Sequence, residues 1–317
     1  GFRLLDAVYA PEAPLFLREL PAVQVLRAIW IQQFYAPNGP IRWRIAEDLP
    51  PATLAIRSPY DYEARFATKR HKYWTGYRVH FTETCDDDLP RLITDVQTTT
   101  APISDYELLP SIRASLATKD LLPSEHLADG GYVSVEQLLA SVRDYGIRLI
   151  GPVNEATGWQ SRVEQAYTLE AFQIDWDNRT VTCPQGKTTT IWRSVLNSGK
   201  PSILTRFKRS QCDPCPVRER CTRSKTTPRT LIFRPRESFE ALQAARRHQK
   251  TEAYRQAYAA RAGMEGTLSH GVRTAGLRRS KYIGLAKTHL QHLLTAAAIN
   301  VQRVADWLAG LPLTQSR

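Results

Sequence analysis

The sequence predicts a mixed α/β fold: a sheet with flanking helices, interrupted by a small β insertion that carries cysteines. Three observations predict it. Between residues 75 and 152 the segments run strand, strand, helix, strand, helix, strand, the order of helices laid against a mixed sheet. Short, irregular strand-like runs and four of the five cysteines then occupy residues 161–235. From Glu237 onward the chain reads as helical.

The elements follow in order. Val23–Tyr35 predicts a helix with Val25, Leu26, Ile29 and Phe34 near one face, and with Pro21 and Pro37 as stops. Residues 75–85 and 91–100 alternate like strands, and Asp86, Asp87, Asp88 and Pro90 between them are turn chemistry rather than a metal site. A helix is expected over Asp105–Ala117, with Asp105 near its N-cap. Residues 124–132 (SEHLADGGY) predict a strand that breaks at Asp129, Gly130 and Gly131. Residues 133–146 predict a helix stopped by Gly146, and 147–152 another short strand. FQIDWDNRTVTCP (172–184) reads as a hairpin about Asp177-Asn178, with further strands near 203–208 and 229–234. The last helix places Leu290, Leu293, Ala297, Val301, Val304 and Leu308 on one face, expected to be the buried one.

Hydrophobic residues make up 42% and charged residues 23% of 317, ordinary values for a globular chain with a sizeable core. No apolar run approaches the roughly 18 residues that a membrane span needs, and no secretory signal opens the sequence. Residues 1–200 carry 21 Lys and Arg against 24 Asp and Glu, whereas residues 201–317 carry 22 against 7. Such segregation points to a polyanion, most simply DNA or RNA, and without an apolar run of spanning length no membrane partner is expected. Five cysteines without a signal sequence suit a reducing cytosol, where thiols are metal ligands or buried groups rather than disulfides.

Two constellations could carry chemistry. Asp129 stands where a strand meets a glycine pair, at the strand end where reacting groups sit in α/β sheets, although such an Asp is also an ordinary turn residue. Tyr258, Arg261 and Glu265 are spaced to share one face of one helix, either flanking a catalytic carboxylate or forming a plain surface ion pair.

Taken together, SPYDYEARFATKR (58–70), WTGYRVHFTETCDDD (74–88), HLADGGY (126–132), CPQG (183–186) and the run from Arg261 to Asn300 resemble the DDE transposases of bacterial insertion sequences. More narrowly they resemble the group named after insertion sequence 1182, over about residues 1–310. The resemblance implies an RNase H-like core: residues 58–160 its first part, 161–235 the Cys-containing insertion, 236–317 its C-terminal helical part, with 1–57 a helical and loop remainder. It implies two Asp and one Glu holding two Mg²⁺ or Mn²⁺ for in-line attack on phosphodiesters. By motif match Asp129 is the second Asp and Glu265 the Glu, both metal ligands, with Tyr258 and Arg261 as accessory residues. The lysine expected after the Glu is replaced by Val272 followed by Arg273.

The family's first Asp lies in an Asp-Ser-Thr-like motif, and no such motif occurs here. Asp61 and Asp95 are the nearest substitutes, and neither matches. The first residue is Gly1 and the sole methionine Met264. The expectation is an N-terminally truncated, catalytically incomplete transposase that binds transposon terminal inverted repeats and target DNA. It would work as a homodimer in a synaptic complex, in the bacterial cytoplasm at the nucleoid.

Cys183, Cys212, Cys215 and Cys221 offer four thiols with one CxxC, read either as a structural Zn²⁺ site or as reduced thiols; Cys85 is expected in a strand as a core thiol. The basic run 273–287, with Arg273, Arg278, Arg279, Lys281 and Lys287, is expected on a helix facing phosphates. Trp159 is either a platform for an unpaired base or a core residue. A competing function is a non-catalytic nucleic-acid-binding module supported by zinc; a weaker one is a two-metal nuclease.

Overall fold

The structure, a computed structural model, describes residues 1–36, 39–69, 71–86, 88–155 and 157–311. Pro37 and Asp87, read above as a stop and a turn residue, lie outside the described residues.

In chain order, α1 (Phe2–Tyr9), α2 (Phe16–Glu19) and α3 (Pro21–Gln33) precede the short pair β1 (Phe34–Tyr35) and β2 (Arg42–Trp43). Pro21 is inside the first turn of α3 rather than before it, since its missing N–H is unneeded there. Next come β3 (Arg65–Lys69), β4 (Lys72–Glu83), β5 (Ile93–Thr100), α4 (Asp105–Thr118), β6 (Glu125–Leu127), α5 (Val135–Tyr145) and β7 (Arg148–Ile150). The strand and helix order expected over 75–152 is therefore present. Residues 161–235 hold β8 (Gln173–Asp175), β9 (Thr180–Thr182), β10 (Thr188–Thr189), β11 (Trp192–Asn197), β12 (Lys200–Arg206), α6 (Arg209–Cys212), α7 (Arg218–Cys221) and β13 (Thr230–Phe233). The chain closes with α8 (Arg236–Gln249), α9 (Glu252–Ala259), α10 (Ala262–Ala275) and α11 (Leu285–Leu308).

These elements fall into two compact units, one of residues 1–123 and 259–317 and the other of residues 124–258. Among the described residues the strands form several small sheets rather than one continuous sheet. In the first unit β3, β4 and β5 are antiparallel, with Phe81 opposite Val96 and a bulge at Thr82/Glu83. Both faces of β5 are covered. Val96 joins Ile93, Ala296 and Ile299 in the core under α11, while Asp95 turns to α4.

The apolar stripe of α11 is the reverse of the expected one. Thr288, Gln291, His292, Thr295, Ala296 and Ile299 are buried, whereas Leu290, Leu293, Val301 and Leu308 are exposed. The covering partners decide this. His292 meets the Thr98 hydroxyl at 2.8 Å, and Asn300 bonds both the N–H and the carbonyl of Ile93 at 2.8 and 2.9 Å. A 3.6-residue period identifies a face, not which face is covered.

In the second unit β6 and β7 are parallel, and α5 ends at Gly146 (φ +67°) as expected. The hairpin β8–β9 turns where Asp175 accepts N–H bonds from Asp177 and Asn178 at 3.1 and 2.9 Å. Phe172, Val181, Ile203, Phe207, Leu231 and Phe233 form a core in this unit, with Trp176, Trp192 and Phe239 packed on it.

Candidate active site

Asp129 follows the C-terminal end of β6, where the Ala128 N–H donates to the Ile150 carbonyl at 2.8 Å and ends the parallel pair. The Gly130 N–H donates to Asp129 Oδ1 at 2.6 Å, and the Tyr132 N–H to the Asp129 carbonyl at 2.9 Å. This turn holds the carboxylate at the exposed strand end, the place predicted for it.

Tyr258, Arg261 and Glu265 do not share one helix. Tyr258 belongs to α9, Arg261 is the N-cap of α10 and Glu265 lies in the first turn of α10. The break has a physical cause. Arg91 Nη1 donates to the Ala260 carbonyl at 3.2 Å, and the bonds from Gly263 and Met264 run to residues three back, Ala260 and Arg261. A Cβ at residue 263 would meet the Arg91 guanidinium, so a larger residue there would push this flexible side chain out of its present place. Arg261 still faces Glu265 at 3.6 Å, and the Glu265 side chain is 77% exposed. Tyr258 stacks on the buried Tyr254 with ring centroids 5.4 Å apart.

The two acids weighed as substitutes for a third carboxylate are both engaged. Asp95, 2% exposed, accepts from Lys119 Nζ at 2.8 Å, Ser115 Oγ at 2.5 Å and Gln97 at 2.9 Å. Asp61 accepts from the Tyr77 hydroxyl at 2.8 Å and, through Oδ2, from the Gly284 N–H at 3.3 Å, while Glu63 accepts from the Leu285 N–H at 2.6 Å. The acidic pair thus caps the N-terminus of α11, where helix N–H groups lack internal partners. Burial and then the bond to Asp61 raise the Tyr77 phenol.

The basic run is not one helix: Arg273 lies in the last turn of α10 and Lys287 in the first turn of α11, and Arg278, Arg279 and Lys281 lie in the loop between them. Gly276 takes φ +64° and ends α10, and α11 begins only at Leu285. Arg273, Arg278, Arg279, Lys281 and Lys287 are exposed, and among the described residues none is in an ion pair. The loop is nevertheless held from beneath. Gln291, 7% exposed, accepts from the Lys281 N–H at 2.8 Å and donates to the Arg279 carbonyl at 2.9 Å, and Leu277 is buried under the turn.

Trp159 is half-buried with Arg223 over its ring at 4.5 Å. Cys85 lies beyond β4 and is exposed, because the strand ends at its bulge by Glu83; it is not a core thiol. The other four cysteines are unpaired, half-buried and line one cavity of about 270 Å³. Burial pushes the Cys221 thiol up to about 11; the Arg229 guanidinium opposes this, and Cys215, Cys183 and Cys212 add to it. Sequence reasoning missed Arg218 and Arg229 in that cavity wall and Gln291 under the basic loop, since only the folded chain brings them there.

Residues 182–305 match the model of a family described as "Transposase DDE domain", less than half of the chain. The match supports a DDE transposase, a class that generally uses Mg²⁺ or Mn²⁺ and acts on DNA. No curated protein and no solved structure matches the chain. Among the described residues no helix is long and apolar enough to cross a membrane, and no three His, Cys, Asp or Glu side chains are converged so as to hold a metal ion as they stand.

Proposed function

We propose that this chain carries the RNase H-like core of a DDE transposase of the insertion sequence 1182 group, acting on the terminal repeats of its element and on target DNA. The observation that carries the reading is that the family match spans Tyr258, Arg261, Glu265 and the whole basic loop. Asp129, outside that span, stands at the end of a parallel strand, as a catalytic carboxylate of an α/β sheet does.

The donor chemistry suits the metals of the class. Asp129 and Glu265 are exposed carboxylates, and hard divalent cations take oxygen ligands. When bound, a Mg²⁺ pair stabilises the attacking and leaving oxygens of a phosphodiester displacement. The chain's own residues supply the rest. The Gly130 amide orients Asp129, and Arg261 orients Glu265. Arg273, Arg278, Arg279, Lys281 and Lys287 hold backbone phosphates without reading sequence. Assembly as a homodimer on paired ends, at the bacterial nucleoid in the cytoplasm, completes the reading.

Two carboxylates do not hold a metal pair. The 317 residues contain no Asp-Ser-Thr motif, and Asp61 and Asp95 are already committed to Tyr77, Lys119 and Ser115. This chain therefore binds DNA ends without cutting them. The test assays nicking of cognate ends in Mg²⁺ and Mn²⁺ by this chain and by a longer protein that adds a segment carrying an Asp-Ser-Thr motif. The expected result is metal-dependent nicking by the longer protein, abolished by Asp129→Ala or Glu265→Ala with DNA binding retained. Nicking unaffected by both substitutions overturns the assignment.

A second reading, a zinc-supported nucleic-acid-binding module, is favoured by the four thiols that line one cavity. Binding by the longer protein with no nicking under any metal would select it.

A further inference from the structure

Cys183 is distant in sequence from Cys212, Cys215 and Cys221, and the four arrive at their cavity from a hairpin turn, a Cys-x-x-Cys turn and a helix end. Cys183 opens the turn between β9 and β10, where its N–H donates to the Lys187 carbonyl at 2.8 Å and the Gly186 N–H returns to its own carbonyl at 2.8 Å. Cys212 ends α6, and the Cys215 N–H donates to the Cys212 carbonyl at 3.2 Å, the close turn that a Cys-x-x-Cys pair makes around a shared ligand. Cys221 ends α7. Thiols delivered in this way from a hairpin turn, a Cys-x-x-Cys turn and a helix end can reach one point from several directions.

The cavity wall is also charged in one sense. Its lining holds Arg218, Arg229 and Lys187 and contains no Asp, Glu or His. Arg229 donates to the Cys221 carbonyl at 2.7 Å and the Tyr167 carbonyl at 3.4 Å, and Arg218 to the Thr227 carbonyl at 3.3 Å. The one acid near them, Asp213, stands 3.9 Å from Arg218. The Nε atoms of both arginines are buried without a hydrogen-bond partner. Arg218 already has Asp213 as a distant counter-charge, whereas among the described residues Arg229 is in no ion pair, and the groups of this wall that become anionic on binding a metal are the four sulfurs.

We propose that Cys183, Cys212, Cys215 and Cys221 bind one Zn²⁺ as a tetrahedral tetrathiolate, with Arg218 and Arg229 balancing its charge. Four thiols release four protons to solvent as one Zn²⁺ enters, leaving a centre of charge −2 between two guanidinium cations. The four thiols line one cavity but are not yet close enough together to hold a metal ion, so binding draws them together to Zn–S distances of about 2.3 Å. The soft, all-sulfur donor set selects zinc over the hard cations of the carboxylates. Its consequence is structural: one ion ties the β9–β10 turn to α6 and α7, beside the Phe172–Phe207 core.

The test is metal analysis of the purified full chain by mass spectrometry, followed by Co²⁺ exchange. One zinc per chain is expected, retained in Cys85→Ser and lost in Cys212→Ser. The cobalt form should show thiolate-to-metal charge-transfer absorption and the d–d bands of a tetrahedral site. Cobalt loading of the unsubstituted chain gives the answer even where Cys212→Ser fails to fold. A zinc-free chain that takes up no cobalt, zinc retained in Cys212→Ser, or a coloured iron centre would each overturn the proposal. None of these readouts involves DNA or nicking, so zinc and transposition stand or fall separately.

Discussion

Glu83 on β4 and Arg303 on α11 form an ion pair at 2.9 Å in which the carboxylate is only 5% exposed. Thr267 on α10 donates to the same carboxylate at 2.7 Å and accepts from Arg303 Nη2, and Arg303 Nη1 also reaches the Arg91 carbonyl. The triangle fixes α10, two residues beyond Glu265, to the longest strand of its unit.

Removing one member of a buried pair leaves the other uncompensated, which is costlier than removing both. Arg303→Ala should destabilise the first unit by about 3 kcal/mol. Urea unfolding at neutral pH measures it, and the pair Glu83→Gln with Arg303→Ala should lose less than the two single effects added. A loss below about 1 kcal/mol in Arg303→Ala would show the pair to be incidental.

Acid should loosen the same unit. His80, 8% exposed, lies 3.3 Å from the Thr99 hydroxyl, and burial lowers it to about 4, with Asp105 opposing and Arg78 and Lys69 assisting. His292, 4% exposed, is likewise lowered to about 4 by burial and then by His289 and His80. An unfolded histidine titrates near 6.5, so between about 6.5 and 4 the unfolded chain binds more protons than the folded one. Stability is full above about pH 6.5 and is lost as pH falls toward about 4, by on the order of 3 kcal/mol for each ring. Denaturant midpoints at pH 7.5 and 5 check this. In a His80→Gln, His292→Gln variant the difference should shrink; an unchanged difference would assign it to other groups.

DNA affinity should be salt-sensitive and indifferent to sequence. With six to ten phosphates contacted, binding by the full chain should weaken by about 10³–10⁵ between 50 and 200 mM salt. Arg278→Ala with Arg279→Ala should weaken all duplexes alike and flatten the salt slope by about two. Salt-independent binding in fluorescence anisotropy would remove the basic loop from the interface.

The 317-residue chain should leave supercoiled DNA intact in both Mg²⁺ and Mn²⁺. If it nicks, and Asp129→Ala stops the reaction, then Asp61 or Asp95 leaves its present bonds to become the third ligand. Asp95→Asn and Asp61→Asn would identify which.

The order of strands and helices from 72 to 150 was legible because alternation, turn residues and the stop at Gly146 are local signals. Asp129 at its strand end was legible for the same reason. What failed was set by distant partners. The break before α10 depends on Arg91, some 170 positions upstream of the helix it interrupts. The covered face of α11 depends on the hydroxyl of Thr98 and the backbone of Ile93, which reward histidine and asparagine over leucine. A local cue was available for one omission: Asn197-Ser198-Gly199 between alternating runs marks the β11–β12 hairpin, whose Ser198 and Gly199 both take positive φ.

Gln291 gives the basic loop a property that its charges alone do not confer. A cationic segment that must be immobilised on arrival at a polyanion forfeits part of its attraction as lost freedom, whereas one already pinned through Lys281 N–H and Arg279 C=O forfeits little. Gln291→Ala removes no charge, so the number of counterions displaced from DNA, and with it the salt slope, should stay the same while the whole binding line drops to weaker affinity. A parallel displacement of this kind separates the geometry of the loop from its electrostatics.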